Sequence, residues 1–407
     1  MTALRVPLTS RRIVNASRAA SRTPTTPATA ASASQHVARR YASTAKRPRT
    51  ALFFPGQGVQ KVGMMTPWIE AFPATAKPIV EEIDHCLGYK LSDVIRDGPG
   101  KTLTKTSNAQ PAIMATSILI LRILEREFGF DTPARIDVTL GHSLGEFAAL
   151  VAGGYITFDD SLSLVRARAR AMEDATRAAI EQHGGEYGMV AVITEPEYLD
   201  SLVAAVDRFV RPGGSQGSKA ESNYDLPPFQ QVSIANVNSK KSNRPQRRRG
   251  PHQDPCHSPA ASSSATTPAT PAVATMRRLL SGKSRVPGRE GDDIVTFPGR
   301  LPCVSNVSAR PFESKAELQD LLSRQCLETV RWWDSIKYLD QEEKVRRWVG
   351  IGPGRVGRNL VGKEVGMKGH DTVKGGGVWA ITDPSDIEEV LRGLEETERV
   401  TDDEMNA

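Results

Sequence analysis

The chain has 407 residues and a formal net charge of +6, with 53 Lys plus Arg against 47 Asp plus Glu; that length allows two domains or one large α/β unit with an ample core. Residues 1–50 hold ten Lys plus Arg and no acid, residues 239–290 hold eleven against Asp254 and Glu290, and the rest carries 32 basic and 45 acidic residues. The remainder is acidic, which argues against a duplex-binding surface; no apolar run approaches the ~20 residues of a membrane span, and Cys86, Cys256, Cys303 and Cys326 lack the spacing of a disulfide framework or a zinc site, so no metal is expected.

Residues 1–45 are rich in Arg, Ser, Thr and Ala, and the first acid of the chain is Glu70. This is the composition of a mitochondrial presequence, with "ARRYAST" placing arginines just before a cleavage point near Tyr41 or Ala42. "TALFFPGQG" then reads as a strand running into a Pro-Gly turn, and a helix-rich stretch follows to about Phe130, including "QPAIMATSILILRILEREF".

"RIDVTL" reads as a short buried strand and "SLGEFAALVAG" as a helix stopped by Gly153 and Gly154. Between them "GHSLG" matches G-x-S-x-G, a pattern that also occurs at Ser215, among Gly, Ser and Lys with no strand before it or helix after it. Only Ser143 therefore sits where a sharp strand-to-helix turn holds a serine out of the sheet above a helix N-terminus, as a nucleophile requires. The Leu144 N–H at the helix start is one donor for a developing oxyanion, and the PGQG turn is placed to bring a second, with Gln57 either close to that donor or simply a turn residue flanked by glycines.

A long helix is expected from about Asp159 to Gln182. At 100° per residue, Ser161, Leu164, Val165 and Met172 lie within about 60° of Arg168, whereas Arg166, Arg170 and Arg177 point the other way. A guanidinium on the apolar stripe must meet an anion, because an unpaired buried charge is costly. Two readings stand here: a bidentate clamp on a substrate carboxylate, or an internal pair with Asp or Glu.

"GMVAVI" starts a strand at Gly188 and "PEYLDSLVAAVDRFV" a helix. From Ser239 to about Thr270 the chain is Arg/Pro/Ser/Thr-rich without period and reads as disordered. Order resumes at "VATMRRLL", followed by "RLPCVSNVSARPF", the helical "ELQDLLSRQCLETVRWWDSIKYL", the strand and turn "RRWVGIGPG", and the closing "GVWAIT" and "IEEVLRGLEE". Strands alternating with helices predict an α/β fold, mostly parallel with helices on both faces. "GPGRVG" at Gly352–Gly357 matches G-x-G-x-x-G, and Asp383 ends the next strand, so a dinucleotide site is a rival reading. Of the seven histidines, His142 adjoins the nucleophile, too near in the chain to fold back onto its hydroxyl, and is assigned to substrate binding; none is placed as a base by the sequence alone.

"FPGQG", "NAQPA", "GHSLGEFAAL", "GMVAV", "SNVSA", "VRWWDSI" and "GIGPG", in this order, resemble malonyl-CoA:acyl-carrier-protein transacylases, and with the presequence the mitochondrial type; the likeness covers about residues 50–235 and 271–395. It implies a hydrolase-like parallel sheet (residues 50–187 and 276–395) carrying a smaller ferredoxin-like subdomain (188–275), with 396–407 as a tail. It also implies [acyl-carrier-protein] S-malonyltransferase activity in the mitochondrial matrix: ping-pong transfer of malonyl from malonyl-CoA through a serine ester to acyl carrier protein, for type II fatty acid synthesis. No cofactor, no nucleic-acid partner and a monomer are expected. The family nucleophile falls on Ser143, its oxyanion donors on the backbone of Leu144 and Gln57, its malonyl-binding arginine on Arg168, and the glutamine whose carbonyl orients the catalytic histidine on Gln325.

The histidine itself departs from the pattern. The family places it six residues before the Pro-Ala pair that opens a helix, here "PAVATMRRLL"; the count reaches Ala265, and the nearest match in letters, "CHSP", puts His257 fourteen residues before Pro271. The family's glycine-rich strands after "IANVNS" are replaced by "KKSNRPQRRRGPHQDPC", so the small subdomain is expected to be incomplete. A catalytically impaired carrier-binding relative and an esterase or thioesterase using the same elbow are the alternatives.

Overall fold

The computed structural model describes residues 47–183, 189–192, 198–210, 233–238, 261–264, 270–281, 293–366 and 377–398. The presequence segment and His257 lie outside the described residues.

Five strands form the larger sheet: β1 (Arg49–Phe54), β2 (Val138–Gly141), β6 (Cys303–Val304), β7 (Val345–Ile351) and β8 (Val378–Ile381), in the order β6-β2-β1-β7-β8. Every pairing is parallel, with Ala51 opposite Val138 on one side and Trp348 on the other. Alternate residues of β1 enter different cores: Leu52 and Phe54 join the cluster on one face, Ala51 and Phe53 the cluster on the other. A strand buried on both faces reads as a continuous apolar run, as "ALFF" does, and demands helices on both sides. The expected α/β architecture is the observed one.

One face is covered by α1 (Pro73–Leu87), α2 (Thr106–Glu127) and α3 (Gly145–Ala152). α2 is buried from Ala109 to Leu121, and its Thr116 and Ser117 hydroxyls donate to the carbonyls of Ala112 and Ile113, satisfying polar groups that have no access to water. α4 (Phe158–His183) packs against α2, close to its expected span.

The second sheet is small and antiparallel: β3 (Met189–Val192), β4 (Ser233–Ile234) and β5 (Ala261–Ser264), in the order β3-β5-β4. With α5 (Leu199–Val210) after β3 and α6 (Thr270–Leu280) after β5, the described residues run β-α-β-β-α, three of the four strands of a ferredoxin-like unit. Residues 261–264 correct an expectation, since composition placed them in disorder and they form the central strand. A ladder needs only backbone donors and acceptors, so "ASSS" pairs on both sides without any apolar period to announce it. α6 also crosses the boundary expected between residues 275 and 276; it packs on α4 and on α7 (Lys315–Arg324). Beyond β4 the chain is sewn to the large unit by Val330 N–H donating to Ala235 O (2.8 Å) and Trp333 N–H to Val237 O (3.0 Å), which brings Asn238 to the elbow.

Candidate active site

β2 ends at Gly141 and α3 begins at Gly145, and Ser143 between them has φ +51°, a left-handed conformation uncommon for a side-chain-bearing residue. Close approach accounts for the flanking glycines. A Cβ on Gly141 would lie 2.0 Å from the Gly145 carbonyl, and one on Gly145 2.6 Å from the carbonyl oxygens of Phe54 and Pro55. The elbow thus rests directly on the PGQG turn, and His142 N–H donates to Phe54 O (3.0 Å).

Asn306, after β6, holds the strained turn. Its Oδ1 accepts from Ser143 N–H (2.7 Å), its Nδ2 donates to Gly141 O (2.7 Å), and its own N–H donates to Glu146 Oε1 (3.0 Å). Ser143 N–H is taken by Asn306, whereas neither the Leu144 N–H nor the Gln57 N–H has an acceptor among the described residues. These are the backbone donors the sequence assigned to an oxyanion, and the Gln57 side chain itself is exposed.

Arg168 is 2 % exposed. Its Nη1 donates to Gln110 Oε1 (2.7 Å) and its Nη2 to Ser143 Oγ (3.3 Å), while Nε has no partner. Among the described residues no carboxylate lies within ion-pair distance of it, so the internal-pair reading of the sequence is not realised. A buried guanidinium that reaches the serine and lacks an anion is set to receive one from a ligand.

Gln325 caps the C-terminus of α7 and is 3 % exposed. Its Nε2 donates to Glu146 Oε2 and lies 3.4 Å from Ser143 O, while its Oε1 is buried without a partner. Glu146 is fully buried, and desolvation drives its pKa up from an ordinary 4.5 to about 8 against the pull of the Asn306 and Gln325 donors and of Arg168. Burial also raises the Cys326 thiol, partly countered by Arg168, so it is not an activated nucleophile.

The His142 Nε2 meets Asn238 Oδ1 (2.7 Å), the ring packs edge-on against Trp332, and burial lowers its pKa. Among the described residues no imidazole bonds to the Ser143 hydroxyl. The structure therefore brings Ser143, Leu144, Arg168 and Gln325 together with the turn that carries Gln57; His142 is engaged by Asn238, and His257 is outside the described residues. Gln110, Glu146, Asn238 and Asn306 were missed as site residues, although each is a polar side chain inside a short motif otherwise apolar or turn-forming ("NAQPA", "GEFAAL", "IANVN", "SNVSA").

The glycines of "GPGRVG" are committed to packing. Gly352, at φ +139°, sits where a Cβ would be 2.5 Å from Ser117 Oγ, and a Cβ on Gly357 would be 3.1 Å from the Phe53 ring. Asp383 caps the turn at Pro384–Asp386, accepting from Ser385 N–H (3.1 Å). Neither feature offers the open cradle of the dinucleotide reading. Among the described residues no group of His, Cys, Asp and Glu could hold a metal ion, and no helix is long and apolar enough to cross a membrane.

Residues 52–206 match the acyl transferase domain family. The chain is 32% identical over 352 residues to the malonyl CoA-acyl carrier protein transacylase of Bacillus subtilis, covering 86% of this chain and 98% of that protein. Among solved structures it resembles the acyl-carrier-protein-S-malonyltransferase of Bartonella henselae, at 25% identity and a TM-score of 0.62, over 85% of this chain and 99% of that one. It is also similar in fold to a malonyl-transacylase solved in complex with its type II PKS acyl-carrier protein, at 23% identity and a TM-score of 0.60, over 84% of this chain and 99% of that one.

Proposed function

The chain belongs to the malonyl CoA-acyl carrier protein transacylase family and is an acyltransferase; from that premise we propose that it carries malonyl from malonyl-CoA to the phosphopantetheine thiol of acyl carrier protein through an ester on Ser143. The Ser143 hydroxyl attacks the thioester carbonyl and gives up its proton to a base; the tetrahedral oxyanion is held by the N–H groups of Leu144 and Gln57; CoA leaves as the protonated thiol. The carrier thiol then attacks the ester, its proton passes to the base, and Ser143 regains its hydroxyl. No cofactor enters this sequence.

The observation that carries the reading is Arg168, a buried cation 3.3 Å from Ser143 Oγ with no carboxylate of the described residues within ion-pair distance. A neutral acyl group brings no permanent anion to this guanidinium, whereas the free carboxylate of a malonyl group supplies one. The carrier as partner is supported by the relatives, one of them solved with its own carrier. Supply of type II fatty acid synthesis in the mitochondrial matrix rests on the acid-free, Arg-rich opening of the sequence, and import with shortening of the chain in isolated mitochondria tests it.

The activity test is mass spectrometry of the full chain after brief mixing with malonyl-CoA, then with carrier. A malonyl increment on the Ser143 peptide that moves to the carrier, and is absent from Ser143→Ala, is the expected result. Release as free malonate would make the protein a thioesterase; binding without the increment would make it a non-catalytic relative.

A further inference from the structure

The two backbone donors assigned to the oxyanion stand on unequal supports. Leu144 N–H belongs to the elbow, which Asn306 ties down and the close contact of Gly141 with Gly145 braces. Gln57 N–H belongs to the PGQG turn, of which only the stem is packed. Pro55 and Gly56 are buried, a Cβ on Gly56 would lie 2.6 Å from His142 Nδ1, and one on Gly352 would lie 2.7 Å from the Pro55 ring. On the far side Val59 rests against Gly354, where a Cβ would lie 3.1 Å from Val59 Cβ. The tip between these contacts is bare: Gln57 and Gly58 are exposed, and a Cβ on Gly58 would meet nothing within 4 Å among the described residues. Gly58 nevertheless stands at φ +109°. Glycine populates positive and negative φ about equally, so neither sterics nor packing selects that value. A hydrogen bond does: Gly58 N–H donates to Gln60 Oε1 (2.8 Å), a side chain two residues on that closes the tip upon itself.

We propose that Gln60 is a positioning residue for acyl transfer, whose side-chain carbonyl pins Gly58 N–H and so holds the neighbouring Gln57 amide in place for the oxyanion. This rests on the transfer reading, in which an oxyanion forms beside Ser143. The two sides of the site are then built alike. In each, the amide next to the donor is tied to a side-chain oxygen: Ser143 N–H to Asn306 Oδ1 (2.7 Å) beside Leu144, and Gly58 N–H to Gln60 Oε1 beside Gln57. The Gln60 bond fixes ψ of Gln57 and φ of Gly58, the two soft dihedrals that flank the peptide between them. Its own anchor is Val59, the preceding residue, which packs against the large core cluster. A preorganised donor stabilises a transition state because nothing has to reorganise when the charge appears, whereas an unpinned tip would have to find the productive orientation at that moment.

Gln60→Met keeps the length of the side chain and removes the acceptor, while Gln60→Glu keeps an acceptor that, as a carboxylate, cannot donate. One neutral hydrogen bond amounts to a hold of about tenfold on the tip. In Q60M the Gly58 amide, assigned by its loss in Gly58→Ala, should therefore exchange with solvent about tenfold faster by NMR, and malonyl-Ser143 should form about tenfold more slowly at saturating malonyl-CoA. The half-saturating malonyl-CoA concentration should stay within about twofold, because the donor acts on the transition state and not on the bound thioester. Acylation by acetyl-CoA should slow by the same factor, since the oxyanion is common to every acyl group and Arg168 is untouched. In Q60E, amide exchange and acylation should both return to within about threefold of wild type, a charged acceptor holding the N–H at least as well. An acylation rate unchanged in Q60M, a loss confined to malonyl-CoA or to half-saturation, or a loss that Q60E shares in full overturns the proposal. So does a Gly58 amide that is no better protected in the wild type than in Q60M, whatever the activity. A wild type with a protected Gly58 amide that forms no malonyl ester refutes the transfer reading instead.

Discussion

Replacing Arg168 by methionine removes the charge while keeping most of the side chain's bulk. In the structure Arg168 spends Nη1 on Gln110 and reaches Ser143 Oγ with Nη2, so the bound malonyl carboxylate would lie against the Nη2 and Nε edge, where Nε has no other partner. Hydrogen bonds to charged groups are worth about 1.5–3 kcal/mol each, and loss of one member of a buried charge pair costs about 2–5 kcal/mol. Taking about 3 kcal/mol, and 1.4 kcal/mol per factor of ten, kcat/KM for malonyl-CoA should fall by about 10²-fold. Acetyl-CoA has no carboxylate to lose, so its kcat/KM should change little and the malonyl-to-acetyl ratio should collapse by about the same factor. Folding is a weak readout here. Gln110 Oε1 is left unpaired at a cost of about 1–3 kcal/mol, which is offset by relief of a buried cation that has no carboxylate within ion-pair distance among the described residues. The assay is the ratio of kcat/KM for the two thioesters with carrier in excess; a ratio unchanged from wild type, or an equal fall for both, would refute the carboxylate-clamp argument.

Gly145→Ala places a Cβ 2.6 Å from two backbone carbonyl oxygens, which neither the elbow nor the PGQG turn can yield; a loss of about 1–3 kcal/mol or more is expected in urea unfolding, and wild-type stability would mean that the contact is looser than drawn. Asn306→Ala leaves Ser143 N–H and Gly141 O without their side-chain partner, at about 1–3 kcal/mol for each group left unsatisfied, so both stability and acylation rate should drop, and retention of both would sink the tethering role. Glu146 has its folded pKa raised to about 8 from 4.5, so between those values the folded state holds the proton that the unfolded state releases. Its contribution to stability is whole below about pH 4.5 and is lost as pH rises through 8, with a slope of up to about 1.4 kcal/mol per pH unit. Unfolding free energies measured across that window should lose this component in Glu146→Gln, and parallel curves for the two proteins would contradict the shift.

Elements with a strong side-chain period were legible in the sequence. The run "TALFF" read as a strand before the Pro-Gly turn, the apolar stripe through Ser161, Leu164 and Val165 placed the long helix within a residue of its ends, and "GHSLG" between a strand and a helix located Ser143 and explained both glycines. Helical phase alone put Arg168 on the buried face, because a 100° step is local geometry. What phase could not decide was the partner. Whether a buried guanidinium meets an internal acid or a ligand depends on side chains as far away as Gln110 on another helix, and only the tertiary structure leaves it without an acid among the described residues.

The same holds for the polar net under the elbow. Glu146, Asn306 and Gln325 are separated by up to 179 residues in sequence and meet because β2 and β6 are neighbours and α7 ends beside them. Their hydrogen bonds carry no period that a sequence could display. The strand at Ala261–Ser264 was hidden for a related reason: backbone pairing uses groups that every residue possesses, so it appears only once the partner strands are in place.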